Sequence, residues 1–284
     1  MFRRFCYVTE GVRKMWTRKQ LKENAKAVLT KYYWTAFVVS FVMTLFAGTK
    51  GGVGYSTGSQ LLNGFAQAMN EKGITADEFL DTLVENPEIL TVLVVTFVIV
   101  GVIDLVIWLI ATALNIFLFN PLRVGKNAYY IRQREDCGKF GNLAIAFKKG
   151  KYKGTVKTIF LRDLYLWLWY LLFVIPGIIK SYSYFMVPYI AADNPELPTS
   201  RIFEISKQTM KGEKWNLFVL QLSFILWHLG CWLTCGIGYL FFTPYVEATN
   251  AELYACLKTK AMREGIIQEG ELPRSIWNDT SEAK

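Results

Sequence analysis

Apolar residues along this chain come in long blocks, and the blocks predict six membrane-spanning helices. The predicted spans are 33–47, 89–119, 158–175, 177–192, 216–234 and 238–257. A helix needs roughly 20 apolar residues to cross a bilayer core about 30 Å thick. The block at 89–119 exceeds that length, whereas the shorter blocks need flanking aromatic residues at the membrane interface. The pattern therefore predicts an all-α fold, a polytopic membrane helix bundle.

A short stretch that recurs three times groups these spans into three hairpins. In each copy a proline follows an apolar block, and an asparagine comes six residues after the proline: Pro121 and Asn127, Pro188 and Asn194, Pro244 and Asn250. A proline ring frees one backbone carbonyl a turn earlier, and an asparagine side chain can end a helix. The repeat therefore predicts the inner corner of each hairpin. The alternative is a polar ring of the three asparagines and Glu247 that lines a cytoplasmic vestibule.

The outer turns of the hairpins carry their own helix-breaking residues. The sequences IPGI and CGIG predict helix breaks, because proline removes a backbone donor and glycine permits a turn. The residues predicted to break the helices are Pro176, Gly177, Gly236 and Gly238. The first hairpin has a long external loop at 48–88 instead. A five-span layout, in which IPGI only kinks one helix, is the main alternative, and the repeat favours six spans.

The distribution of charge predicts the orientation of the spans. The first 33 residues hold nine Lys and Arg, residues 120–163 hold eleven, and residues 48–88 hold two Lys against six acidic residues. Basic segments remain in the cytoplasm, so both termini are predicted to be cytoplasmic. The predicted layout is a flexible extension at 1–14, a single six-span domain at 15–257, and a polar cytoplasmic tail at 258–284. The domain contains the external loop at 48–88 and cytoplasmic linkers at 120–157 and 193–215.

Composition narrows the class of partner. The chain is 52% hydrophobic and 19% charged, with a formal net charge of +9. Because the positive charge lies beside apolar spans, the predicted partners are the bilayer and anionic lipids at its cytoplasmic face, and not nucleic acid.

A basic amphipathic helix is predicted directly before the first span. Thr17 and Gln20 have the spacing of a capping box. One apolar face of this helix is formed by Leu21, Ala25, Val28, Leu29 and Tyr32. That face fits an anionic membrane surface, the protein's own cytoplasmic side, or both.

Few residues offer chemistry. The candidate intramembrane polar residues are Asp104, Lys180, His228 and Glu247. A charged residue inside a span is expected to face other helices or a water-filled cavity. The sequence contains no GxSxG, HExxH or P-loop motif, and Cys6, Cys137 and Cys256 are predicted to be reduced cytoplasmic thiols. We therefore predict no catalytic residue, no metal, no cofactor and no enzymatic activity.

Four segments resemble a known bacterial family. They are MWTRKQLKENAKAVL, IPGIIKSYSYFMVPYIAADNPEL, KGEKWNLFVLQLSFI and CGIGYLFFTPYVEATNAELY. They resemble the integral membrane proteins of the domain-of-unknown-function family nine hundred seventy-five, and the resemblance covers about residues 15–257. This family is similar in layout to the membrane domain of some glycerophosphodiester phosphodiesterases. That similarity implies a function at or on membranes and identifies no catalytic residues. Family members begin near MWTR, which implies that Met15 is the true start.

The sequence thus predicts a multi-pass protein of the bacterial cell membrane that acts as a non-enzymatic envelope scaffold or accessory factor. The first alternative is a transporter or channel for a small solute, suggested by Asp104, Lys180, Glu247 and the broken short spans. The second alternative is a lipid-modifying membrane enzyme or a subunit of one. The identity of any membrane-protein partner is left open.

Overall fold

The fold is helical throughout the part of the chain that the structure describes. This computed structural model describes residues 16–47, 84–134, 140–147, 152–234 and 236–273, with a few isolated positions between 63 and 78. Every element in these ranges is a helix, so the predicted all-α class is confirmed. The chain forms two compact units, residues 1–45 with 116–284, and residues 46–115. The predicted extension at 1–14 lies outside the described residues.

Helix α1 (Arg18–Ala47) joins the predicted basic helix to the first predicted span and is bent at Tyr32, where φ is −129° and ψ is 28°. Its start has the predicted cap, because the Gln20 amide donates to Thr17 Oγ1 at 3.3 Å. The apolar face is buried in its own unit by Leu21, Ala25, Val28 and Leu29. Of the two predicted roles for this face, the structure shows packing on the protein itself.

The unit at 46–115 contains helix α2 (Pro87–Leu114). Proline suits the first turn of a helix, where its missing N–H leaves no hydrogen bond unmade. Most of the apolar side chains along α2 are exposed. Asp104 is half-buried near the middle of the helix. Most of the predicted external loop at 48–88 lies outside the described residues.

The first proline–asparagine stretch begins helix α3 (Asn120–Gln133), which follows a π-helical turn (Asn115–Phe119). The ring of Pro121 has no N–H to bond the carbonyl of Phe117, four residues earlier. The Tyr152 hydroxyl donates to that carbonyl instead, at 2.7 Å. A side chain from the next helix thus satisfies the acceptor that the proline leaves free.

A 3-10 helix (Phe140–Phe147) packs along α3. Gly125 makes this packing possible, since a Cβ atom at that position would lie 2.0 Å from the Leu143 carbonyl oxygen and 2.7 Å from its carbonyl carbon. The two backbones are therefore in direct contact at Gly125.

Helices α4 (Tyr152–Leu172) and α5 (Val174–Ser183) fold back on each other at Phe173, where the backbone is extended. The break comes three residues before Pro176, so Pro176 and Gly177 lie within the start of α5. Gly177 serves the packing of the two helices, because a Cβ atom there would lie 2.5 Å from the Tyr170 ring. The IPGI sequence therefore belongs to a hairpin whose turn lies slightly earlier than predicted.

Two short helices follow, α6 (Val187–Asp193) and α7 (Thr199–Thr209). Pro188 lies in the first turn of α6, as Pro121 does in α3. Helix α7 begins where its pattern predicts, at Thr199, and Gly212 follows it with a φ of +87°.

The third hairpin consists of α8 (Lys214–Leu222), α9 (Ile225–Leu233) and α10 (Gly238–Arg263). Its turn uses glycine as predicted from CGIG. Gly236 has a φ of +87°, and its amide donates to the Cys231 carbonyl at 3.0 Å, as at many helix C-termini. A Cβ atom on Gly238 would lie 2.9 Å from the Cys231 Cα atom. The two glycines thus provide the turn and the close approach of α9 and α10.

The described part of the predicted tail is packed on the helices. Helix α10 continues to Arg263. Beyond it, Ile267 and Leu272 are buried in the same apolar cluster as Leu253 and Leu257 of α10. Arg201 of α7 holds this segment by donating to Glu271 Oε1 at 2.7 Å and Oε2 at 3.0 Å, and to the Ile266 carbonyl at 2.8 Å. Residues 264–273 therefore form a C-terminal strap across the helices.

The strap should detach in acid. Hydrogen bonds from Arg201 lower the pKa of Glu271, and a bond from the Gln268 amide lowers it further, against an opposing effect of burial. Because the folded pKa lies below the unfolded one, this contact stabilises the strap above the unfolded pKa of about 4.3 and is lost as the pH falls through the folded value. We expect the protection factors of the amides at 264–273, which are corrected for the intrinsic exchange rate at each pH, to fall across that interval.

The Glu271→Gln variant provides the control for the strap. It should exchange faster than the wild type at neutral pH, and the difference should vanish in acid, where Glu271 is protonated. An equal difference at all pH values would contradict the assignment of the strap to this ion pair.

Two helical stretches in the described chain are long and apolar enough to cross a membrane, Leu90–Gln133 and Lys214–Leu233. The first contains nearly all of the second predicted span, 89–119, and continues to residue 133, within the predicted cytoplasmic linker at 120–157. The second corresponds to the fifth predicted span. The other predicted spans do not meet the same length and hydropathy limits within the described residues, so the six-span layout and the orientation of the termini stay predictions. One cysteine prediction is wrong, since Cys256 is disulfide-bonded. Cys231 is a free, buried thiol.

Candidate functional site

The three proline–asparagine stretches meet in one unit, where α3 packs against both α6 and α10. The residue four places after each proline is small and buried: Gly125, Ala192 and Ala248. Small residues allow helix backbones to approach closely, particularly between helices in membranes. The repeat therefore marks the packing centre of the unit.

Three ion pairs connect this centre, and each has one partner on α10. They are Lys126 with Glu247, Asp193 with Lys258, and Arg134 with Glu252, and we call these six residues the polar layer. Arg134 Nε lies 3.0 Å from Glu252 Oε2. All six side chains are less than one-fifth exposed. Since each positive charge is matched by one negative charge, the layer is neutral as a whole.

Asp193 is the most fully engaged carboxylate of the polar layer. Besides Lys258, it accepts a hydrogen bond from the Tyr254 hydroxyl at 2.9 Å. Both partners lie on the same face of α10, four residues apart. The end of α6 is thereby fixed to α10 by one carboxylate with two donors.

A second polar contact fixes α1 to α3. The Tyr130 hydroxyl lies 2.7 Å from Ser40 Oγ and donates to the Ala36 carbonyl at 3.3 Å. Both Tyr130 and Ser40 are buried. Each hydroxyl gives the other a hydrogen-bond partner, and burying either one without a partner would cost free energy.

Three of the four predicted intramembrane polar residues, Lys180, His228 and Glu247, lie in one unit and have separate surroundings there. Asp104 lies in the unit at 46–115. Lys180 Nζ lies 4.6 Å above the Trp169 ring, across the α4–α5 hairpin. His228 is exposed on α9, with its ring centroid 5.1 Å from that of Phe242. Glu247 alone belongs to the polar layer.

The repeat asparagines have different surroundings. Asn194 ends α6, accepts a hydrogen bond from the Glu196 amide at 3.0 Å and donates to the Glu271 carbonyl at 2.8 Å. It thus performs the helix-ending role and also receives the strap. Asn127 is buried within α3, and Asn250 is half-buried within α10. Pro244 lies inside α10, unlike Pro121 and Pro188, which begin helices.

Sequence reasoning missed five residues of the polar layer: Lys126, Arg134, Asp193, Glu252 and Lys258. A signal was present, because the position before the asparagine is charged in two copies, as Lys126 and Asp193. The spacing of Glu247, Glu252 and Lys258 along α10 did not reveal their partners, which come from helices distant in sequence. Only the packing of α3 and α6 on α10 brings the charges together.

The polar layer can do little chemistry of its own. Its charged groups are paired with each other, and these pairs join α3 and α6 to α10. The described residues contain no group of three or more His, Cys, Asp or Glu side chains that could hold a metal ion. The arrangement fits a structural role, in which the ion pairs fix the helices to one another.

Comparison with known proteins finds a family of unknown function. A family described as "Protein of unknown function (DUF975)" matches residues 166–261. The match runs from the middle of α4 to near the end of α10 and includes the second and third proline–asparagine copies. It covers about a third of the chain and is narrower than the expected 15–257. No curated protein and no solved structure matches the chain.

Proposed function

We propose that this protein is a multi-pass integral protein of the bacterial cell membrane that acts as a non-enzymatic scaffold or accessory factor of the envelope. The observation that carries the proposal is the exposed apolar end of the α4–α5 hairpin. Residues 171–175 are each more than 60% exposed, and no charged residue occurs between 164 and 179. A continuous exposed apolar surface of this kind is rare in soluble proteins, and it fits contact with lipid.

The α9–α10 hairpin supports the same placement. No Lys, Arg, Asp or Glu occurs between residues 215 and 246, and Leu226, Trp232 and Leu233 are each more than 70% exposed. The charges begin where the polar layer begins, at Glu247. Both hairpins are thus apolar at the tip and ion-paired at the base, as six spans with cytoplasmic linkers would require.

The scaffold role follows from how the interior charges are used. A transporter needs polar groups that can release internal partners and bind a solute, whereas the polar layer pairs every charge within the chain. An enzyme needs an acid, base or nucleophile free to reach a substrate. The six charged residues of the polar layer are better suited to hold a rigid platform for another membrane protein.

The first experiment tests membrane topology. An Ile175→Cys variant should react with an impermeant thiol reagent on intact cells, whereas Glu204→Cys should react only after the cells are opened. The protein should also resist extraction from membranes by alkaline carbonate. Release by carbonate, or labelling of Glu204→Cys in intact cells, would contradict the proposed insertion and orientation.

The second experiment tests the role. Cross-linking in native membranes followed by purification should recover a defined partner, and proteoliposomes should show neither solute uptake nor lipid turnover. Uptake that is lost in Asp104→Ala would favour the transporter. Reproducible hydrolysis of a lipid would favour the enzyme.

A further inference from the structure

One cluster of charge differs from the polar layer because it is not neutral. Arg123 of α3 and Arg162 of α4 lie on helices that pack together, and the two guanidinium groups are within electrostatic range of each other. Arg162 contacts its neighbour Asp163, with 3.1 Å between Nη1 and Oδ1. Asp163 therefore balances one of the two positive charges, and the three side chains carry a net charge of +1.

The hydrogen-bond donors of this pair are only partly used. Arg162 Nε is buried and has no hydrogen-bond partner among the described residues. Arg123 donates to Asn120 Oδ1 at 3.4 Å, a long contact, and has no carboxylate partner in the described part of the chain. A buried donor without an acceptor is costly, and charged groups inside a protein are normally paired. The pair is short of one anion.

The position of the pair indicates what supplies this anion. Arg162 lies two residues before the uncharged stretch at 164–179, and exposed Lys153 and Lys157 precede it on α4. In a membrane-inserted hairpin this is the level of the lipid headgroups, where basic side chains meet phosphate. The planar fork of arginine matches the oxygens of a phosphate group in a way that lysine does not.

We propose that Arg123 and Arg162 bind a phosphate group, supplied either by the headgroup of an anionic lipid or by free phosphate. The anion accepts from both guanidinium groups and balances the charge that Asp163 leaves uncompensated. Binding joins α3 to α4 at the base of the first two hairpins. The lipid source rests on the proposed membrane insertion, whereas the free-phosphate source does not.

The test compares thermal unfolding of the full-length protein in nanodiscs of phosphatidylcholine, with and without phosphatidylglycerol, and with added inorganic phosphate or chloride at equal ionic strength. Stabilisation by phosphatidylglycerol alone identifies a lipid site, and stabilisation by inorganic phosphate identifies a free-anion site. Arg123→Gln and Arg162→Gln should each weaken the stabilising interaction roughly ten- to hundredfold, as expected for loss of charged hydrogen bonds. Lys157→Gln, which removes an exposed charge from the same helix, should retain the wild-type response.

The outcomes separate the site from general charge effects and from misfolding. Stabilisation that is absent in the wild type, or unchanged in both arginine variants, overturns the proposal. Because Arg123 has no ion pair among the described residues, Arg123→Gln should fold even where Arg162→Gln does not. Arg123→Lys keeps the charge and should recover only part of the affinity. Release of the protein from membranes by alkaline carbonate would refute membrane insertion. In that case the experiment with inorganic phosphate alone decides whether this site binds an anion.

Discussion

Replacing Gly125 by alanine is expected to lower the Tm of the purified protein by roughly 5–10 °C, corresponding to about 3 kcal/mol in a chain of this size. The added methyl group would meet the Leu143 carbonyl oxygen at 2.0 Å and its carbon at 2.7 Å. Both atoms belong to the backbone of the 3-10 helix, so no side-chain rotation relieves the overlap. Either the 3-10 helix moves or α3 leaves the packing centre.

Gly230→Ala provides the matched control for this variant. Gly230 also lies within a helix, but a Cβ atom there would have no neighbour within 4 Å. Alanine favours a helix over glycine by about 1 kcal/mol, so this variant should be as stable as the wild type or slightly more so. Circular dichroism during thermal unfolding measures both. Similar Tm values for the two variants would show that α3 and the 3-10 helix are not in close contact.

The Asp193→Ala variant should be destabilised by about 3–5 kcal/mol, because it leaves a buried cation unpaired. The Lys258 side chain is only 8% exposed, and the Tyr254 hydroxyl would lose its acceptor as well. The exposed pair of Lys19 and Glu23 gives a comparison, since Glu23→Ala should cost less than about 1 kcal/mol. Denaturant unfolding in detergent measures both changes.

A double variant identifies the cause of that loss. Asp193→Leu combined with Lys258→Met removes both charges, and it should recover most of the stability lost in Asp193→Ala. If the double variant were no more stable than the single one, the loss would come from packing at α6 and not from the unpaired ammonium group. The coupling between the two sites is read from the full double-mutant cycle.

The parts of this fold that sequence predicts well are those set by neighbouring residues. The cap at Thr17, the start of α7 at Thr199 and the glycine turn at Gly236 each follow from a local pattern whose physical cause lies within a few residues. The turn at Phe173 was misplaced by three residues. Proline tolerates the first turn of a helix, so Pro176 could begin α5 instead of separating it from α4.

The polar layer was beyond the reach of sequence because its contacts join distant segments. Lys126 and Glu247 are 121 residues apart, and Asp193 and Lys258 are 65 apart. Periodicity gives the face of a helix and not its partner. Conversely, Lys180 and His228 are conspicuous as polar residues in apolar stretches, and each has its own aromatic neighbours and no part in the polar layer. The position of a charged residue in the repeat, as for Lys126, Asp193 and Glu247, indicates membership of the polar layer better than its isolation in an apolar stretch does.

The polar layer also has a consequence for biosynthesis. Helix α10 is the last helix that the structure describes, so its charged residues leave the ribosome after those of α3 and α6. Until Glu247, Glu252 and Lys258 have been made, Lys126, Arg134 and Asp193 have no counterion from the layer. Assembly of the polar layer must therefore wait until α10 has been synthesised.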